Sequence, residues 1–216
     1  VYPDTLCWVH DFTYSFNEPM TKMYFSHPAY DDYPVVGVTW KQARAFGIWR
    51  TELLNGYLRA IGGGVVQDFR LPTESEWEYA ARSGGKKQRF GNGKDILRPT
   101  EANFQASFEE KRDYSVVGEF HNQPFPVGSY PANDLGLFDM SGNVAEFCWD
   151  WYGDGYYYRE SPPNNPKGPD GKYVRVARGG SYASGPENCR TSARSGATFQ
   201  DFGNMIYGFR LARNAK

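Results

Sequence analysis

The 216-residue sequence predicts one α+β domain with little regular secondary structure and its two main helices in the first half. Three observations carry that expectation. Aromatic residues make up 17% of the chain (6 Trp, 16 Tyr, 15 Phe), and 24 Gly and 14 Pro punctuate it. A core of large flat side chains joined by many turns fits this composition better than a bundle of aliphatic helices. Two capping boxes, Thr39–Gln42 and Thr73–Glu76, each open a run with helical spacing before residue 85. Beyond that point apolar residues come in short runs broken by Gly, Pro and Asn, and no helical period persists. No repeat, linker or low-complexity tract divides the sequence, so residues 1–216 read as a single domain.

Taken in order, residues 1–35 are aromatic and turn-rich and read as irregular structure with one short strand at most. Val35–Val38 reads as a short strand. The first main helix starts after Thr39, with Ala43, Phe46, Trp49, Leu53 and Tyr57 as its apolar face, and stops at Gly62-Gly63-Gly64. The second lies in RLPTESEWEYAARSGG, capped by Thr73 and ended by Gly84. Trp77, Ala80 and Ala81 form its buried stripe. Glu74 and Glu76 in its first turn and Arg82 in its last suit the helix dipole. Val116–Val117 and Tyr173–Ala177 are the extended runs of the second half. Residues 151–172, with Tyr156-Tyr157-Tyr158 before several prolines, read as an exposed loop with an aromatic tip, a contact surface or a long insertion packed on the body.

Composition removes several functional classes. The aromatic content excludes a disordered chain. No window of about 18 apolar residues exists, so no transmembrane helix is expected. A net charge of −1 argues against a dedicated nucleic-acid or polybasic membrane binder. Cys7, Cys148 and Cys189 form no CxxC pair and read as buried apolar thiols. No P-loop or HExxH is present. Gly179-Gly180-Ser181-Tyr182-Ala183 resembles a nucleophile elbow but lacks its last Gly and any following helix. His10, His27 and His121 read as ordinary surface or core histidines rather than zinc ligands.

The segment DLGLFDMSGNVAEFCWDWYGD has more to say. Asp139 and Glu146 flank a glycine-bearing turn with main-chain carbonyls at Gly142 and Val144. Calcium takes about six to eight oxygens from such mixtures, and no Cys or His offers a softer metal a ligand within the turn. The competing reading is that Glu146 and Asp150 are solvated or paired with an arginine.

Four landmarks in order, RLPTESEWEYAAR, GLFDMSGNVAEFCWDWY, RVARGGSY and GFRLAR, resemble the formylglycine-generating enzyme family, also called the sulfatase-modifying-factor domain, over roughly residues 34–213. The opening VYPDTLCWVHDFTYSFNEPM and HPAYDDYPVVGVTWKQA are similar to a narrower branch, the lipoproteins of the gliding-motility and type IX secretion apparatus of Bacteroidota. The resemblance implies an α+β domain with a C-type-lectin-like core. It implies structural calcium at Asp139, Gly142, Val144 and Glu146, and a second site beginning at Asn103 and the Phe104 carbonyl. Active family members hold copper through two thiolates shortly after GGSY or GGSW. Counted forward from Gly179, those positions are Ser184 and Cys189; counted back from Ala193-Arg194-Ser195, Cys189 is a non-catalytic cysteine. On either count the pair is lost, which implies a pseudoenzyme.

The expected role is therefore a non-catalytic structural subunit of the secretion and motility machinery in the periplasm. The expected partners are another ring subunit of that machinery and further copies of the chain itself. The sequence opens on Val1, not Met, so it reads as a mature or excised form whose lipid anchor to the outer membrane lies upstream. An active sulfatase-maturing oxidase and a lectin-like ligand-binding module are the alternatives. Tyr156 and Tyr157 are candidate contact residues, and the aromatic runs Phe12–Phe25 and Trp149–Tyr158 are either partner surface or core.

Overall fold

The computed structural model describes residues 2–11, 19–154, 168–169, 173–197 and 203–214. Tyr156, Tyr157 and Tyr158, most of the proline-rich segment after them, and residues 12–18 lie outside the described residues.

Along the chain come α1 (Cys7–Asp11), α2 (Pro19–Met23), a 3-10 turn at Pro28–Tyr30, α3 (Trp40–Ala60) and α4 (Glu74–Ala81). Four strands follow: β1 (Ala145–Trp151), β2 (Arg175–Arg178), β3 (Ser195–Ala197) and β4 (Tyr207–Gly208). They form one sheet in the order β3-β2-β1-β4. β1 and β2 are antiparallel with Glu146 opposite Arg178, and a bulge falls between Phe147 and Trp151. β4 runs parallel to β1 with Glu146 opposite Gly208. No helix among the described residues is long and apolar enough to cross a membrane.

The predicted start of α3 is found in detail. Thr39 Oγ1 accepts from Gln42 N, and Gln42 Oε1 accepts from Thr39 N at 2.7 Å. The same reciprocal pair, Thr73 and Glu76, opens α4. Two short helices replace the irregular opening expected of residues 1–35. Val35–Val38 is not a strand. Gly37 has φ +68°, and its N–H donates to Asn204 O, so the segment turns where a ladder would continue. Val116–Val117 is likewise outside any strand, and β2 starts at Arg175 rather than at Tyr173.

The apolar face expected of α3 needs correcting beyond Ala43. The buried residues are Trp40, Ala43, Gly47, Thr51 and Asn55. Trp49, Leu53 and Tyr57 are 51%, 57% and 62% exposed. The helix sits too close to the body for large side chains on its inner face. A Cβ at Gly47 would lie 2.9 Å from Phe69 O. Polar groups on that face are satisfied locally. Thr51 Oγ1 donates to Gly47 O and accepts from Phe69 N, and Asn55 bonds Val66 through both its N–H and its C=O. Hydrophobic identity alone therefore picked the wrong side.

The strand β1 is the centre of the domain. On one face Ala145 and Phe147 pack with Trp40 and Ala43 of α3, Ala177 and Ala197. On the other face Cys148 packs with Val176, Met140 and Trp77 and Ala81 of α4. The period of two sends successive side chains to opposite helices, so both faces of β1 are covered. Cys7, Trp8 and Tyr24 build a second cluster with Val144 and Met205. Phe90, Leu97, Phe104 and Cys189 build a third.

Candidate functional site

Three charged residues occupy the α4-facing side of β1 and its neighbour β2: Glu146, Asp150 and Arg178, each 6% exposed or less. Ions taken out of water need partners, and each has them. Glu146 Oε2 accepts from Trp77 Nε1 at 2.7 Å and from Arg210 Nε at 2.5 Å, and Oε1 accepts from Arg210 Nη2 at 2.6 Å. This is a forked guanidinium–carboxylate pair, the geometry that adds direction to charge. Asp150 Oδ2 accepts from the Glu74 N–H. Glu74, 2% exposed, holds two guanidinium groups: Arg178 Nη1 at 3.1 Å, and Arg194 Nε and Nη2 at 2.6 and 2.9 Å. Arg178 also donates to Glu78 and to the carbonyls of Thr191 and Ala193.

Of the predicted calcium ligands, Asp139, Val144 and Glu146 line one cavity of about 580 Å³, together with Arg210. Gly142 is not among its lining; its N–H donates to Gly179 O. Asp139 adopts φ +55°, and its Oδ2 accepts from Gly128 N at 2.8 Å. Burial pushes the Asp139 carboxyl up, and the neighbouring Glu146 carboxylate adds to the rise against the Gly128 bond and Arg210. A half-buried carboxylate under that pressure beside a second one is chemistry that a divalent cation relieves, so Asp139 fits calcium, whereas both Glu146 oxygens are committed to Arg210 and Trp77. Arg210 already supplies part of the neutralisation. At the second predicted site Asn103 is 2% exposed. Its Nδ2 donates to Gln123 O and to Asn143 Oδ1, while its Oδ1 is buried with no hydrogen-bond partner. An orphaned buried oxygen fits a cation there. Phe104 beside it is a core residue.

Ser184 and Cys189, the degenerate positions matched to the family's catalytic cysteines, sit in these surroundings. Cys189 is fully buried in an apolar cluster, and burial pushes its thiol well up from the ordinary value. Ser184 Oγ accepts from Ser181 N at 3.0 Å and pairs with Ser181 Oγ at 3.1 Å. Cys148 is buried and likewise raised, mainly by burial, and Cys7, Cys148 and Cys189 are all buried. Thiols with raised values are poor nucleophiles and poor metal ligands at neutral pH. Ser181 is 1% exposed, which leaves the elbow-like segment without a presented hydroxyl. His27 Nδ1 caps the 3-10 turn, His121 stacks on Phe125 at 4.0 Å, and His10 lies 3.6 Å from Asp4.

Sequence reasoning left Arg178 and Arg210 unassigned, although both lie inside the quoted landmarks RVARGGSY and GFRLAR. The arginine reading for Glu146 was the correct one for that side chain. The missed signal is positional: Arg178 closes the short strand RVAR and Arg210 follows β4, and an Arg set against a buried carboxylate has to be paired inward.

These arrangements can be set beside known proteins. The profile of the sulfatase-modifying factor enzyme 1-like domain family matches residues 11–215. The chain is 36% identical over 194 residues to the serine/threonine-protein kinase pkn1 of Chlamydia caviae, covering 88% of this chain and 25% of the kinase. It is 36% identical over 189 residues to the formylglycine-generating enzyme of Streptomyces coelicolor, covering 85% of this chain and 54% of that enzyme. The chain thus spans a quarter of the kinase and about half of the enzyme. Among solved structures, variable protein 1 of Treponema denticola matches with TM-score 0.62 and 29% identity over 85% of this chain and 72% of that one. PvdO from Pseudomonas aeruginosa matches with TM-score 0.64 and 26% identity, over 85% of this chain and 63% of that one. These likenesses extend over the small sheet and few helices of this chain. The chain belongs to the sulfatase-modifying factor enzyme 1-like domain family and has its α+β fold.

Proposed function

We propose that this domain is a non-catalytic structural module of a protein assembly, a pseudoenzyme of its family that has kept the fold and lost the copper site. The finer reading is a periplasmic subunit of the type IX secretion and gliding-motility machinery, contacting a ring subunit and its own copies, anchored by lipid in the full-length protein. The opening block of the sequence supports that branch. The observation that carries the non-catalytic reading is the pair Ser184 and Cys189: a hydroxyl tied to Ser181, and a thiol sealed against Phe90, Leu97 and Phe104. Soft Cu(I) wants two thiolates, and a hard, un-ionised hydroxyl does not replace one.

The competing reading is an active oxidase, supported by the names of relatives such as the Streptomyces enzyme. Incubating the domain with copper, oxygen, a thiol reductant and a cysteine-bearing sulfatase peptide separates the two. The expected result is no tight Cu(I) binding and an unchanged peptide mass. An aldehyde product that disappears on Cys189→Ala would overturn the reading. In the host, deletion is expected to block secretion or gliding, and a deletion strain normal in both would remove the finer assignment.

Calcium, in this reading, is structural. Asp139, Glu146 and the carbonyls of Gly142 and Val144 would hold one ion, and Asn103 with the Phe104 carbonyl would begin a second site. An ion that binds only the folded chain stabilises it by about 2.7 kcal/mol at a hundred times its dissociation constant. Calcium is expected to raise the melting temperature, and Asp139→Ala to abolish most of the gain. Glu146→Ala is expected to do the same, and to lower the calcium-free baseline as well, because it strands Arg210. A melting curve indifferent to calcium and chelator, with no calcium by elemental analysis, would refute this.

A further inference from the structure

We propose that the groove between α3 and residues 68–73 docks a segment of a partner polypeptide that carries acidic residues beside apolar ones. The groove has a volume of about 650 Å³, the size that takes a few side chains, with Ile48, Phe69 and Trp149 among its walls. Arg44 and Arg70 line it, Arg70 already held by Glu76, and Arg50 and Arg213 lie against its Phe69 wall. Arg44 lies 5.7 Å above the Trp149 ring, and Arg50 and Arg213 lie 5.1 and 5.6 Å from the Phe69 ring. All three are exposed, and none forms an ion pair with a described residue. Each guanidinium is placed by its ring while staying exposed, so its N–H groups remain free to meet a carboxylate. By contrast, the buried Arg178 and the partly buried Arg70, Arg194 and Arg210 each have a carboxylate.

Two further features choose the occupant. Glu52 and Asp68 line the same groove, and neither forms an ion pair among the described residues. An anionic bilayer would meet these carboxylates with like charge throughout, whereas a polypeptide can set its acids against the arginines and an uncharged or basic side chain against Glu52 and Asp68. Ile48 is 48% exposed, and beside it the outward face of α3 presents Trp49, Leu53 and Tyr57. Aromatic residues and Arg together are what the energetic centre of a protein contact is made of. The inference deepens the assembly reading and rests on it for the partner being a protein; the aldehyde assay and the deletion phenotype do not depend on this groove, so the two fail separately.

The test selects random dodecapeptides displayed on phage against the whole chain, then measures individual synthetic winners by fluorescence anisotropy. Enrichment of Asp and Glu flanking apolar residues is expected, with binding weakened at least tenfold by Arg44→Glu and by Ile48→Asp. Both side chains are exposed, so the melting temperature should hold; Arg213→Gln provides a second, milder variant expected to weaken binding severalfold. Winners without acidic bias, or binding indifferent to all three variants, would overturn the proposal. So would Arg44-dependent binding to phosphatidylserine vesicles that exceeds peptide binding, which would assign the groove to a membrane. A self-association by sedimentation that Ile48→Asp breaks and the peptides do not compete for would assign it to a second copy and overturn the proposal too.

Discussion

Replacing Glu74 by alanine is expected to cost about 3–5 kcal/mol of unfolding free energy, the penalty for leaving a buried charge without its partner. Glu74 is the hub between α4 and β2. One carboxylate group receives Arg178 and Arg194, whose side chains are 0% and 12% exposed. Its own N–H is fixed by Asp150. After truncation Arg178 keeps Glu78 and the two main-chain carbonyls, but a buried carboxylate is gone and two guanidinium groups face each other across the gap. For a domain of this size the loss corresponds to a fall in melting temperature of roughly 10 °C. Glu74→Gln, which keeps the shape and an acceptor, is expected to fall between. Equilibrium urea unfolding measures both. A Glu74→Ala loss below about 1 kcal/mol, with an unchanged m-value, would mean the network is solvated and the hub assignment is wrong.

The sequence disclosed this network only in pieces. Both capping boxes were legible because a cap is a local pattern: one hydroxyl, one carboxylate or amide three residues on, and an apolar run behind them. Trp77 and Ala81 were legible for the same reason. β1 was not recognised as a strand, because a strand buried on both faces loses its alternation, and AEFCWDW carries two acids pointing inward. Glu146, at the start of β1, read instead as the end of a metal-binding turn beginning at Asp139, and Asp139 and Glu146 do line one cavity. The inner face of α3 was misread, since the close approach at Gly47 put small and polar residues inside and left Trp49, Leu53 and Tyr57 out. Long-range pairing was out of reach: Glu146 and Arg210 are 64 residues apart, and Glu74 and Arg194 are 120 apart. Spacing arguments cannot join such partners, and only the fold does.

Trp77→Ala is the second change expected to be severe, at about 3–5 kcal/mol. The ring is 1% exposed and fills the space between α4 and the sheet, against Met140, Cys148 and Val176. Its removal leaves a cavity that the two capped ends of α4 and the strand ladder keep from collapsing. The indole also performs a polar task, donating Nε1–H to Glu146 Oε2, and the Arg178 guanidinium lies 5.3 Å from the ring. Trp77→Phe separates the two contributions. It retains most of the apolar volume and removes the donor, so it is expected to cost about 1–3 kcal/mol, the price of one unmade buried bond to a charged acceptor plus a smaller void. The indole also orients the carboxylate that faces Asp139. Trp77→Phe is therefore expected to shrink the calcium-dependent rise in melting temperature as well as the baseline, whereas a core substitution away from both proposed calcium sites, such as Leu71→Ala in the cluster on the α3 side of β1, lowers the baseline and leaves the calcium increment intact. If Trp77→Phe loses stability but keeps the full calcium increment, the indole is packing alone, and the link between the helix α4 core and the Glu146 site is broken.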